Sequence, residues 1–198
     1  MRILPVAALL LSALALQAEA PPVLRKSPEF VLRYNDGHQA LLSSYRGKVI
    51  ALLFVHTTCP HCQHTSQVFT QIQKEYGPRG FQALDVAFNA MANLYVPDFI
   101  KQNSIGYPVS FSAPEEVLDY LKFSVMQRYV VPQIVWIDRK GEIRSQTTPM
   151  GEDNNLYNEG YWRNMIETLL KEPGVSTGAA KKTTTTHHDA APKKTPST

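Results

Sequence analysis

The whole cysteine content of this 198-residue chain, two residues, sits in one motif, Cys59-Pro60-His61-Cys62. No thiol is left for a structural staple, so the pair reads as chemistry rather than scaffolding. Its setting constrains the fold. An unbroken apolar run from Val49 to Val55 comes just before it. Continuous apolar character, without alternation, marks a strand buried on both faces, as in a sheet covered by helices on each side. After the motif, Val68, Phe69, Ile72 and Tyr76 form a helical stripe. The C-x-x-C therefore falls where a buried strand hands over to a helix N-terminus. Unpaired backbone N–H groups and the helix dipole favour a thiolate at such a place.

The rest of the pattern fits a mixed α/β domain. Pro28 to Leu32 is extended, Asn35-Asp36-Gly37 signals a turn, and Gln39 to Leu42 is the returning strand. The helix after Cys59 should run to about Tyr76 and stop at Gly77-Pro78. A strand is expected over Phe81 to Phe88, a helix over Pro97 to Asn103 with Pro97 near its first turn, and a short helix opening at Pro114-Glu115-Glu116. Asn89 to Tyr95 and Tyr107-Pro108 read as a loop near the motif that could shape a substrate groove. Gln133 to Ile137 and Glu142 to Gln146 form a hairpin around a tight turn from Asp138 to Gly141. A last helix, from about Asn158 to Leu170, has Trp162, Met165, Ile166 and Leu169 on its apolar face. The sum is an α/β sandwich with parallel central strands and an antiparallel C-terminal hairpin.

The two ends read differently. Residues 1–20 have the form of a secretory signal peptide: Arg2, an apolar stretch from Ile3 to Leu16, and a small-x-small site at Ala18-Glu19-Ala20. An uncleaved signal serving as a membrane tether is the alternative. Residues 173–198 are Gly, Ser, Thr, Ala, Lys and Pro, too poor in large apolar groups to order, and read as a disordered tail. Residues 21–172 then form one domain. Arg2 and Glu19 cancel, and Lys181, Lys182, Lys193 and Lys194 face only Asp189, so the formal +3 of the chain belongs to the tail. A neutral body without a basic stripe argues against nucleic acid. The tail lysines could touch an anionic membrane or cell-wall polymer, or stay solvated. An exported chain meets oxidising surroundings. A disulfide across so short a loop adds little stability, which again points to redox chemistry.

The residues resemble the thioredoxin superfamily in its TlpA/ResA-like branch of exported thiol–disulfide oxidoreductases, related to the AhpC/TSA redoxins. The likeness spans about Ser27 to Leu170. It rests on Pro28-x-Phe30-x-Leu32 with Gly37, on Tyr45-Arg46-Gly47-Lys48-Val49, on Cys59 to Cys62, and on Val131-Pro132 followed by Ile137-Asp138-Arg139-Lys140-Gly141-Glu142-Ile143. It implies a thioredoxin fold, a central mixed β-sheet flanked by helices, with an added N-terminal β-hairpin. Three positions depart from the family pattern. Thr58 stands where thioredoxins have Trp, Leu53 where thioredoxin has a buried Asp, and Thr65 where ResA-like proteins have Glu. The Pro60-His61 dipeptide is instead the one found in the oxidant DsbA.

The resemblance implies thiol–disulfide exchange with protein substrates. Cys59 forms a mixed disulfide and the more buried Cys62 resolves it. Pro132 is expected in a cis bond, holding Val131 beside Cys59 to pair with an extended substrate strand; Thr58 would share that contact. His61, if protonated, adds a positive partner to a Cys59 thiolate. A second redox partner must recycle the pair; no cofactor is required, and the protein is expected to act as a monomer. His56, at the strand end, could tune the sulfurs or be an ordinary polar terminus. His56, His61 and His64 with the two cysteines could suggest zinc or copper, but ligands crowded within nine residues at a strand–helix junction do not converge easily as a tetrahedron. His187-His188 has no folded neighbours. A peroxiredoxin-like antioxidant peroxidase is a competing reading, although Leu52 and His56 stand where its P-x-x-x-T/S-x-x-C pattern needs Pro and Thr or Ser. A cell-envelope metal carrier is another.

Overall fold

Strand β4, Val49–Val55, is buried along its whole length. In the computed structural model, which describes residues 23–152 and 157–174, it lies between β5, Phe81–Ala87, parallel to it, and β7, Gln133–Ile137, antiparallel to it. The sheet has eight strands in the order β1-β8-β7-β4-β5-β6-β2-β3. Its other members are β1 (Arg25–Lys26), β2 (Val31–Arg33), β3 (Gln39–Leu41), β6 (Val109–Phe111) and β8 (Glu142–Gln146). The thioredoxin-type mixed sheet and the added N-terminal hairpin are therefore both present.

Side chains alternate across a strand, and here that alternation sorts two cores. Val49, Ala51, Leu53 and Val55 face a layer with Cys62, Phe69 and Ile72 of α1 (Pro60–Tyr76), Val96 and Phe99 of α2 (Ala92–Asn103), and Trp162 and Ile166 of α4 (Glu159–Lys171). Ile50, Leu52 and Phe54 face the opposite layer, with Phe30, Leu32, Leu42 and residues Val117, Tyr120 and Leu121 of α3 (Pro114–Leu121). Residues on both faces being apolar explains why this strand shows no alternation in sequence.

Three elements correct the sequence expectation. Helix α2 starts at Ala92, five residues before Pro97, so Pro97 lies inside it and Asn89 to Tyr95 is only partly loop. A proline cannot donate to the carbonyl four residues back. That carbonyl, on Asn93, instead accepts from the Asn35 side chain of the N-terminal hairpin. Strands β1 and β6 were not expected. Tyr107-Pro108 leads into β6, which joins the main sheet to the hairpin by pairing with β5 on one side and β2 on the other. The turn from Asp138 to Gly141 forms as expected: Asp138 Oδ1 accepts from the Lys140 and Glu142 amides, both at 2.9 Å, and Gly141 takes φ 83°. The signal-peptide reading of residues 1–20 and nearly all of the 173–198 tail, with His187 and His188, lie outside the described residues.

Candidate active site

Cys59 caps the N-terminus of α1, with extended backbone at φ −83° and ψ 119°, and Pro60 occupies the first turn, where its missing N–H costs nothing. The Cys62 amide donates to Cys59 Sγ at 3.5 Å. One face of this sulfur thus meets an N–H of the helix's first turn. Cys59 Sγ also lies 3.8 Å from the Val131 carbonyl oxygen, to which a thiol donates. The Val131–Pro132 bond is cis, as the resemblance implied. Both cysteines are free.

The cysteines differ in exposure. Cys59 is half-buried and Cys62 fully buried. Burial pushes the Cys62 thiol far above its ordinary value, opposed by the His56 backbone N–H and reinforced by Cys59 and by the negative charge of Asp85. The loop before Cys59 is held from β5's end. Asn89 Oδ1 accepts from the Thr57 amide at 2.9 Å and from its hydroxyl at 3.2 Å. Gln63, on α1, donates to the Thr57 carbonyl at 3.0 Å.

Around this centre the three histidines diverge. His56 packs its ring against Phe88 at 4.5 Å, and burial lowers its proton affinity. His61 is exposed and its ring tilts against Tyr157 at 5.2 Å. His64 is exposed on the next turn. Among the described residues, no three His, Cys, Asp or Glu groups cluster as metal ligands do. Thr58 and Pro60 are exposed beside Cys59, Val131 is half-buried, and Pro132 is buried. The structure therefore brings Thr58, Cys59, Pro60, His61, Cys62, Val131 and Pro132 to one end of the sheet.

Several residues at this end were not singled out in the sequence. Tyr157 faces His61, and burial, with the sulfurs of Cys59 and Cys62, raises its phenol. Asn89 fixes the loop. Asp85, on β5, is fully buried; its carboxylate accepts from Ser66 Oγ at 2.7 Å and from the Tyr107 hydroxyl at 3.0 Å. Leu53, which fills the thioredoxin Asp position, is the β4 partner of Asp85 in the sheet register. A lone acid in the buried run from Ala83 to Ala87, otherwise apolar, was the available signal.

Comparison with known proteins agrees with this geometry. A family model described as "AhpC/TSA family" matches residues 23–146. The thiol-disulfide oxidoreductase ResA of Geobacillus kaustophilus is 27% identical over 122 residues, covering 62% of this chain and 67% of that protein. ResA of Bacillus cereus is 24% identical over 139 residues, covering 69% and 75%. The crystal structure of a thiol:disulfide interchange protein of the thioredoxin family from Chlorobium tepidum superposes with a TM-score of 0.60 at 24% identity, over 77% of this chain and 99% of that one. With the family model spanning most of the chain and the strand–C-x-x-C–helix junction built as described, this protein belongs to the AhpC/TSA family and is a TlpA/ResA-like member of the thioredoxin superfamily.

Proposed function

We propose that this protein is a thiol–disulfide oxidoreductase working outside the cytoplasm, with Cys59 as the sulfur that meets partner proteins and Cys62 as the one that resolves the mixed disulfide. One observation carries the reading. Cys59 is reachable and sits on the α1 N–H groups, whereas Cys62, one turn on, is buried with its thiol pushed up. A reachable sulfur reacts first and a shielded one second. The relatives named thiol-disulfide oxidoreductase ResA support the class of activity. Val131, with its carbonyl at Cys59, and Thr58 are the residues an extended partner strand would meet.

A Cys62→Ser variant should accumulate a reducible adduct with a disulfide-bearing partner, visible on a non-reducing gel; a Cys59→Ser variant should not. Adducts formed equally by both variants would reverse the two roles. The Pro60-His61 dipeptide and the helix N–H groups at Cys59 support a pair poised toward oxidation. Equilibration against glutathione tests this: a potential nearer about −120 mV than about −270 mV is expected. Export is part of the proposal and rests on the pattern of residues 1–20. No described helix is long and apolar enough to cross a membrane. N-terminal sequencing of the protein from a cell-envelope fraction should find Pro21 first; Met1 would indicate an uncleaved anchor.

A further inference from the structure

Resolution of a mixed disulfide needs Cys62 as a thiolate, yet Cys62 is fully buried and its thiol holds its proton tightly. Leu53 and Thr65 leave no acid at the two positions where the family pattern places one. The interior nevertheless contains a carboxyl group at the right level of the sheet. Asp85 is directly across from Leu53. Alternation along β5 turns Phe81, Ala83 and Ala87 toward the layer that holds Cys62, and Asp85 shares their face. Ser66, which grips the carboxylate, lies one helical turn beyond Cys62 on the same stripe of α1.

We propose that Asp85 is the acid–base residue for Cys62, held in place by Ser66 and Tyr107 as positioning residues; this rests on the exchange function above. In the resolving step the Cys62 S–H bond breaks and an O–H bond forms on the Asp85 carboxylate. The Cys62 thiolate then attacks Cys59 Sγ. The Cys59–partner S–S bond breaks, the Cys59–Cys62 bond forms, and the partner leaves as a reduced thiolate. When the cycle runs the other way, Asp85 returns the proton to the departing Cys62 sulfur. The buried charge stays at one throughout the proton transfer, moving from oxygen to sulfur. Two buried anions side by side never have to coexist.

The surroundings suit that role. Ser66 from α1 and Tyr107 from the segment before β6 hold the Asp85 carboxylate, apolar Leu53 on β4 and Val109 on β6 flank it in the sheet, and its charge reaches Cys62 of α1, whose thiol it helps to raise. No cation among the described residues pairs with it. Tyr107 also donates to the Ser66 carbonyl at 3.3 Å, which ties the acid's two partners together. Burial raises the Asp85 carboxyl to about 7, against the pull of both hydroxyl donors. A base operates best with an affinity near the working pH.

Single-turnover reaction of the reduced protein with dithiobis(nitrobenzoate) separates the steps. Cys59 attack releases the first nitrothiobenzoate and Cys62 attack the second. The second phase in the wild type should rise through about pH 7 and level off. In Asp85→Asn it should fall by about a hundredfold at pH 8 and climb with pH without levelling. Ser66→Ala, which removes one donor to the carboxylate, should move the levelling point to higher pH while keeping it. An Asp85→Asn variant with the wild-type second phase would overturn the inference. If that variant does not fold, a levelling point unmoved in Ser66→Ala overturns it instead. A missing first phase in the wild type would remove the exchange function, and this inference with it.

Discussion

Asp85→Asn should make the folded protein more stable at neutral and alkaline pH, by an amount that the burial of one carboxylate fixes. The acid is fully enclosed, and burial raises it from the ordinary 3.8 to about 7 despite two hydroxyl donors. The folded state thus keeps a proton that the unfolded chain releases. With the unfolded state binding fewer protons, stability is highest below about pH 4, falls as pH rises toward 7, and is flat beyond. Each pH unit between the folded and unfolded values is worth about 1.4 kcal/mol. The interval from 3.8 to about 7 gives about 4 kcal/mol in all, and the part between pH 5 and pH 8 about 3 kcal/mol. Asn has the shape of the protonated acid, with one acceptor oxygen and a donating nitrogen in place of the O–H. At pH 5 the variant should therefore lead the wild type by about 1–2 kcal/mol, the part of the loss that falls between pH 3.8 and 5.

Urea unfolding of both proteins at pH 5 and pH 8, in a phosphine reductant, measures the double difference. Taking the difference cancels every other titrating group that the substitution leaves alone. The expected result is that the wild type loses about 3 kcal/mol relative to Asp85→Asn between the two pH values. An unchanged gap would refute the reasoning, because it would mean that Asp85 is equally ionised in the folded and unfolded chains at both pH values.

Two further outcomes follow from the same geometry. Iodoacetamide at neutral pH should label Cys59 at least about tenfold faster than Cys62 in the folded protein, since Cys62 is both shielded and pushed up; peptide mass mapping reads this, and equal labelling would contradict it. Arg144, on β8, is buried between Asp138 at 3.1 Å and Glu172 at 2.5 Å, so Arg144→Ala should cost about 3–5 kcal/mol in urea unfolding by leaving Asp138 buried without its cation.

How far the sequence disclosed this molecule depended on the range of each interaction. The β4 strand was legible because burial on two faces writes itself as seven apolar residues in a row. The turn at Asp138 was legible because an Asp and a Gly at fixed spacing close it locally. Strand β6 was not, since three residues hold position only through neighbours from distant parts of the chain. The start of α2 was obscured by Pro97, whose disruption is relieved by Asn35, far away in sequence. At the site, the cysteine pair and Val131-Pro132 were found by motif. Asp85, Ser66 and Tyr107 lie on three separate segments, and only strand register and helix periodicity bring them together.

The dipeptide between the cysteines was the clearest sequence hint of an oxidising pair, and the structure limits how much of that effect His61 can supply. Its ring is exposed, against Tyr157 and open to solvent. Exposed charge pairs contribute little and are screened by salt. The Cys62 amide, by contrast, is fixed at 3.5 Å from Cys59 Sγ by the helix itself and is present at every pH and salt concentration. Replacing His61 with Ser should therefore move the reduction potential of the pair by about 20 mV or less at 0.15 M salt, and by more at low salt. Glutathione equilibration at the two ionic strengths separates the contributions. A shift of about 60 mV or more that ignores salt would put the thiolate's stabilisation on the imidazole rather than on the start of α1. A small, salt-dependent shift would mean that the fold supplies most of that stabilisation and that His61 adjusts it.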